Sequence, residues 1–225
     1  SDVLETFELV NSTLKKEGFK EVVYKPIPSI YHLVPAQEDI YALFRLGAVK
    51  TGCNISSTIT QFNKIPFIES RKSGIRKAKR ENISIEESDE ICDFWKILEE
   101  NLARTYNKKP VHSLNEILLL KERFFDNIKL YVALKDKIII GGCMLFVMKR
   151  IVHVQYISAS QQGKLSGALD LLFEVLINDI YVDYPIFDFG QSTENMGLYL
   201  NENLIFQKEG FGGRGVVYDI YNYKL

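Results

Sequence analysis

The stretch from Ile128 to Tyr181 constrains the fold more than any other. IKLYVALK, KIIIGGCMLFVMK and IVHVQYISAS are three strand-like runs parted by short turns, and KLSGALDLLFEVLINDIY follows them. That last segment is apolar nearly all round, with only Asp170, Glu174 and Asn178 making a polar stripe at i, i+4, i+8, so it predicts a largely buried helix. A meander needs a layer over its apolar face, and a helix this apolar needs a sheet to lie on. Beyond it, PIFDFG reads as a strand, ENMGLYLNENL as a helix and GVVYDIYNY as a closing strand. The order is that of a mixed α+β domain.

Upstream, helix and strand alternate. Val3, Phe7, Val10 and Leu14 fall at helical spacing before Gly18, and EVVYKPI follows as a strand. AQEDIYALFRLGA predicts a second helix ending near Gly47, and the β-branched run NISSTIT a second strand. Residues 66–80 read as a helix despite Gly74, ISIEES as a short strand, and 88–106 as an acidic helix carrying Trp95. TYNKKPVHS, with Pro110, reads as a linker, with His112 and Ser113 opening a helix through LNEILLLKERF, so the expected division is 1–108 and 109–225.

A chain of 225 residues with 46% hydrophobic and 25% charged residues has the balance of a globular protein, which excludes disorder as the expectation. A net charge of -1 offers no global attraction to polyanions, so any anion site must be local. The acidic start SDVLETFELV does not read as a signal peptide, and no run is apolar enough to span a bilayer, which with three scattered, unspaced cysteines leads us to expect a cytoplasmic protein with no metal site.

Several polar groups sit where chemistry is possible. In QYISASQQGKLSGALDLL a strand ends, a glycine-containing polar loop follows and a helix begins. Unpaired amides of a first helical turn favour a phosphate, Gly163 and Gly167 would admit it, and Lys164 would add charge. The alternative is that Gly163 makes a turn and Ser166 caps a helix. In the helix 66–80, Arg71 falls among Phe67, Ile68, Ile75 and Ala78, opposite Lys72, Arg76, Lys77, Lys79 and Arg80. It therefore either clamps an anionic ligand or makes an internal ion pair.

Asp188, inside Ile186-Phe187-Asp188-Phe189, must be hydrogen-bonded, paired or shifted in pKa if buried. Next to it, Gly190-Gln191-Ser192-Thr193-Glu194-Asn195 offers donors and a carboxylate, Glu194, which is either a proton acceptor or first-turn helix charge. Gly210, Gly212 and Gly213 mark tight backbone, and Arg214 either holds a phosphate or decorates a strand start. His153 alternates with Val152 and Val154 and so falls alongside Gln155 and Ile157, where a structural role is expected. His32 and His112 have no Ser or Cys partner at motif spacing, which argues against a covalent triad.

Two resemblances sharpen this. The order of meander strand, glycine-containing loop and helix resembles the GNAT-type acyltransferases, whose R/Q-x-x-G-x-G/A loop is matched in part by Lys164-Leu165-Ser166-Gly167-Ala168. RKSGIRKAKRENISIEES is similar to the R-x-x-I-R-K-A-x-K helix and strand of the Fem peptidyl and aminoacyl transferases. FDFG followed by QKEGFGGRGVVY is similar to that family's F-K-x-x-F-G element. The resemblance implies a GNAT-like fold, with a complete C-terminal domain and a partial GNAT-like N-terminal one. It implies direct transfer of an acyl or aminoacyl group to an amine, with acyl-CoA as co-substrate ahead of aminoacyl-tRNA. Lys208, matching the F-K lysine, would stabilise the oxyanion. Glu194 or Asp188 would take the amine proton, and Gln155, Ile157, Gln161, Gln162, Gly163, Lys164 and Gly167 would hold the donor. Arg71, Gln191, Ser192 and Arg214 would hold the acceptor. The alternatives are tRNA-dependent transfer in cell-wall synthesis and a non-catalytic binding module on the same fold.

Overall fold

The computed structural model describes residues 2–225. In chain order its elements are α1 (Asp2–Lys16), β1 (Glu21–Tyr24), α2 (Glu38–Arg45), β2 (Val49–Thr60), α3 (Glu69–Arg80), β3 (Ser84–Glu87), α4 (Ile91–Tyr106) and α5 (Leu114–Arg123). They continue with β4 (Ile128–Lys135), β5 (Ile138–Val147), β6 (Ile151–Ala159), α6 (Gln161–Ser166), α7 (Ala168–Val175), β7 (Ile186–Gln191), β8 (Thr193–Glu194), β9 (Tyr199–Leu200), α8 (Glu202–Gly210) and β10 (Arg214–Lys224). The chain forms two compact units, one of residues 1–57, 191–206 and 214–225, the other of 58–190 and 207–213. These units are discontinuous in sequence, whereas the expected break at 108/109 is linear. That break falls between α4 and α5, whose side chains share one core in the larger unit.

The larger unit is the predicted meander with its cover. Its strands run in the order β7-β6-β5-β4-β3. β3, β4, β5 and β6 pair antiparallel in succession, and β7 joins β6 in parallel. On one face Ile91, Phe94, Trp95 and Leu98 of α4 and Ile117 of α5 pack on Leu130, Val132 and Met144. On the other, Leu172 and Phe173 of α7 pack on Cys143, Leu145, Val152, Val154, Phe187 and Phe189. Each fully buried aromatic or aliphatic side chain here contributes roughly 1.5–3 kcal/mol by leaving water. The capping box of Ser113 and Glu116 starts α5, where the sequence placed a helix start.

One irregularity matters. Met144 pairs with Tyr156 and Leu145 with Val154, so Gln155 is an extra residue on β6. Beyond this bulge the alternation is reset: Ile157 packs with Val152 and Val154, and Tyr156 points to the opposite core. Simple period-2 reading put Ile157 on the face of His153, and the bulge moves it to the other.

In the smaller unit β1 pairs antiparallel with β10, which lies between β1 and β2. Ala42 and Leu43 of α2, with Ile220 and Tyr223 of β10, are buried, and α1 buries no residue. The helix expected over 194–204 is absent. Asn195, Met196 and Gly197 all have positive φ, and Thr193 and Glu194 pair with Leu200 and Tyr199 as a small hairpin. Left-handed residues cannot continue an α-helix, so α8 begins only at Glu202 and carries Lys208 in its last turn.

Candidate active site

β7 alternates Phe187, Asp188, Phe189. The two phenylalanines enter an aromatic cluster with Phe173 and Phe211, at ring separations of 5.0 to 6.2 Å. Period-2 geometry then sends Asp188 to the opposite face, where it is 0% exposed. β6 and β7 pair over three positions, Ile151 with Ile186, Val152 with Phe187 and His153 with Asp188. β6 runs on to Ala159 and β7 to Gln191, so the ladder stops at His153 and Asp188 and the two strands part there. Strands that part leave backbone amides and carbonyls to be satisfied by something other than each other.

The polar groups at this parting are tightly held. Nδ1 of His153 lies 2.7 Å from Oδ2 of Asp188, and the backbone N–H of Gly190 donates to Oδ1 at 3.1 Å. The carbonyl of Gly190 in turn accepts from Nζ of Lys208 at 2.7 Å. Gly190 has φ +73°, and a side chain on it would press on Cε1 of His153 at 3.3 Å, so glycine fits both the turn and the space. Lys208 is 5% exposed. Burial drives its pKa down to about 8, against the upward pull of Asp188.

The end of α8 is anchored within the same unit. Phe211 and Gly213 donate backbone N–H bonds to the carbonyl of Lys208, and the carbonyl of Gly210 accepts from Ile68 ahead of α3. Gly212, with φ +88°, lies so close to the carbonyl of Ile65 that a Cβ would sit 2.3 Å from it. The guanidinium of Arg71 lies over the Phe211 ring, 5.4 Å from its centroid, so the two Fem-like motifs meet in space. Its Nη1 donates to Asp170 on α7 at 2.7 Å. The internal ion pair, one of two readings of Arg71, is the one the structure displays. Burial raises the pKa of Asp170, with Arg71 acting against that rise.

The junction between β6 and α7 differs from its expectation. The segment read as a loop is a short helix, α6, capped by Ser160, whose Oγ accepts from the amide of Gly163 at 3.2 Å. A Cβ on Gly163 would sit 2.1 Å from the carbonyl of Ile140, and one on Gly167, φ +77°, 2.4 Å from the carbonyl of Gly74. Both glycines therefore bring backbone against backbone inside the fold, and Gly163 is buried. Gln161 and Gln162 are exposed in the first turn of α6. Lys164 donates to Asn101 on α4, and burial together with nearby Arg104 lowers its pKa. Ile157 is half-buried against the core.

Of the predicted residues, Asp188 and Lys208 are brought together around Gly190, and His153, read as structural, completes the set. The signal that would have found it is the parallel register placing His153 beside Asp188, which no single strand displays. Gln191, Ser192, Glu194 and Arg214 belong to the smaller unit. There Ser192 is buried and its amide donates to Ile55, while Glu194 is exposed in the small hairpin and Arg214 is exposed at the start of β10.

Asp188, expected as one acceptor of the amine proton, is enclosed: Oδ1 accepts from the amide of Gly190, Oδ2 lies against the imidazole of His153, and the residue is 0% exposed.

No family model matches this chain, and no curated protein does. Solved structures do match. FemX aligns over 98% of this chain and 76% of its own, at 10% identity and TM-score 0.73. The C-terminal domain of a putative lysylphosphatidylglycerol synthetase from Agrobacterium fabrum aligns over 97% and 72%, at 14% identity and TM-score 0.68. L-PGS from Bacillus licheniformis aligns over 96% and 72%, at 12% identity and TM-score 0.67. At such identities the likeness is one of fold, and on that footing the chain has a GNAT-like mixed α+β fold in the form found in FemX and the synthetase domain.

Proposed function

We propose that the protein is an N-acyltransferase that moves an acyl or aminoacyl group from an activated carrier directly to an amine. The observation that carries this reading is the buried Lys208 beside the parting of β6 and β7, on a fold shared with FemX and a lysylphosphatidylglycerol synthetase domain. Edge groups of the parting strands offer a linear donor hydrogen bonds, as a third strand would. With a pKa of about 8, Lys208 is a cation at neutral pH, yet its ammonium is largely stripped of water. A nascent oxyanion is therefore worth more to it than to a surface lysine. The amine attacks the carbonyl, the tetrahedral oxyanion is held by Lys208, and the carrier leaves without a covalent enzyme intermediate.

Acyl-CoA heads the donor candidates, because a chain of net charge -1 gives tRNA no global attraction. Since Gly163 and Gly167 are closed by backbone, donor phosphates in this reading meet Gln161, Gln162 and Lys164 instead. Among the described residues no helix is long and apolar enough to cross a membrane, and the reading assigns the protein to the cytoplasm. Thermal-shift screening with acetyl-CoA, longer acyl-CoAs and aminoacyl-tRNA tests it, since a ligand bound at 100 times its Kd stabilises the fold by about 2.7 kcal/mol. A rise in Tm with a donor is expected. No shift with any donor would leave the fold as a binding module for another ligand.

A further inference from the structure

We propose that His153 is the base that takes the proton of the attacking amine, with Asp188 as the residue that positions it. This rests on the acyl-transfer reading above. An ionised carboxylate only accepts hydrogen bonds, and the amide of Gly190 already donates to one oxygen of Asp188. The contact of 2.7 Å between Oδ2 and the imidazole is then Nδ1–H donating to Asp188. That choice of tautomer leaves the lone pair on Nε2. The imidazole is the outer member of the pair: its side chain is 19% exposed against 0% for Asp188. It also stands at the last rung of the β6–β7 ladder, where the strands part, and Asp188 and Gly190 link it to Lys208.

The step balances without an outside reagent. The amine nitrogen bonds to the donor carbonyl carbon as its proton passes to Nε2 of His153, and the electron pair of the carbonyl moves to the oxygen facing Lys208. When the tetrahedral species collapses, the bond to the carrier breaks, the carrier takes the electron pair, and the imidazolium returns the proton to it. Asp188 stays ionised and stabilises the transient imidazolium.

Two readouts on the full chain test this. The protein has three histidines, so imidazole 15N spectra resolve the tautomer of each, and loss of one signal set in His153→Gln assigns it. At pH 8 the wild type is expected to show His153 as the neutral Nδ1–H form. In Asp188→Asn the side-chain oxygen should stay on the Gly190 amide and the NH2 should face the ring, so His153 is expected to switch to Nε2–H. A wild-type His153 already protonated at Nε2 alone, or unchanged in Asp188→Asn, overturns the assignment whatever the donor proves to be.

The kinetic arm uses the donor identified by thermal shift. His153→Gln is expected to lower kcat by about 10²–10⁴-fold, with acceptor KM little changed and the acid limb of the pH profile lost. Turnover at the wild-type rate overturns the proposal. If no donor binds, the transfer reading fails and the base with it, whereas the tautomer measurement still reports the pairing, so the two failures are told apart.

Discussion

Two places in the larger unit look equally chemical in sequence, the strand end around Asp188 and the glycine-bearing junction after β6, and they resolve in opposite ways. At the strand end, polar atoms that cannot be left dry are held by one another: His153 by Asp188, Asp188 by Gly190, and Gly190 by Lys208. At the junction, Gly163 and Gly167 are closed by the carbonyls of Ile140 and Gly74. A glycine beside a helix start admits a ligand or another backbone by the same absence of Cβ, and only the structure says which. Buried charge is less ambiguous, because a carboxylate and an ammonium kept from water need a specific environment that a packing role does not require.

The contrast breaks most sharply on Lys208. Lys208→Met is expected to lower acyl transfer by about 10²–10³-fold, the loss typical of one oxyanion donor, while far-UV dichroism shows the fold retained. Gly167→Ala should do the reverse. Its positive φ and the 2.4 Å approach to the Gly74 carbonyl predict a stability loss of about 3 kcal/mol, read as a fall in Tm of roughly 6–12 °C, with donor affinity unchanged once folded. A donor Kd weakened in Gly167→Ala at a temperature where it is folded would return Gly167 to the donor-binding residues.

Arg71→Met comes next. It strands the carboxylate of Asp170, whose pKa burial already raises, and a loss of about 2–3 kcal/mol in urea midpoint experiments is expected. Asp170→Asn combined with Arg71→Met should recover part of that loss if the pair is structural.

The pH dependence sharpens the other side. Folded Lys208 gives up its proton near 8, whereas the unfolded side chain holds it to 10.5. Between those values the unfolded state binds more protons, so stability rises with pH through this window. Relative to Lys208→Met, the wild type is expected to gain on the order of 3 kcal/mol from pH 8 to 10.5, measured as the difference between their urea midpoints. The smallest effect is expected at Lys164, which is exposed. Lys164→Ala should change stability by no more than about 0.5 kcal/mol.

What the sequence disclosed follows from these cases. The meander and the apolar helix α7 were legible because their burial is written in local periodicity. The start of α5 was legible at Ser113 after Pro110, and the structure adds that Ser113 and Glu116 close a capping box there. The helix placed over 194–204 was misread because left-handed backbone at Asn195 and Met196 leaves no periodic trace. The face of Ile157 was misread because a bulge at Gln155 breaks the alternation without altering composition. The pairing of His153 with Asp188 was illegible for a third reason: the two are on different strands, and a parallel register 35 residues apart is a tertiary fact.

The central claim is that a carbonyl on an activated carrier is held beside Lys208 and attacked there by an amine. It is tested most directly by following release of free CoA thiol from acetyl-CoA in the presence of a mixture of primary amines, alongside deacylation of aminoacyl-tRNA under the same conditions, for wild type and Lys208→Met. Amine-dependent release from one carrier by the wild type, at least about 100-fold faster than by Lys208→Met, is the result predicted. Equal rates for the two proteins, or no amine-dependent release from either carrier, would contradict it.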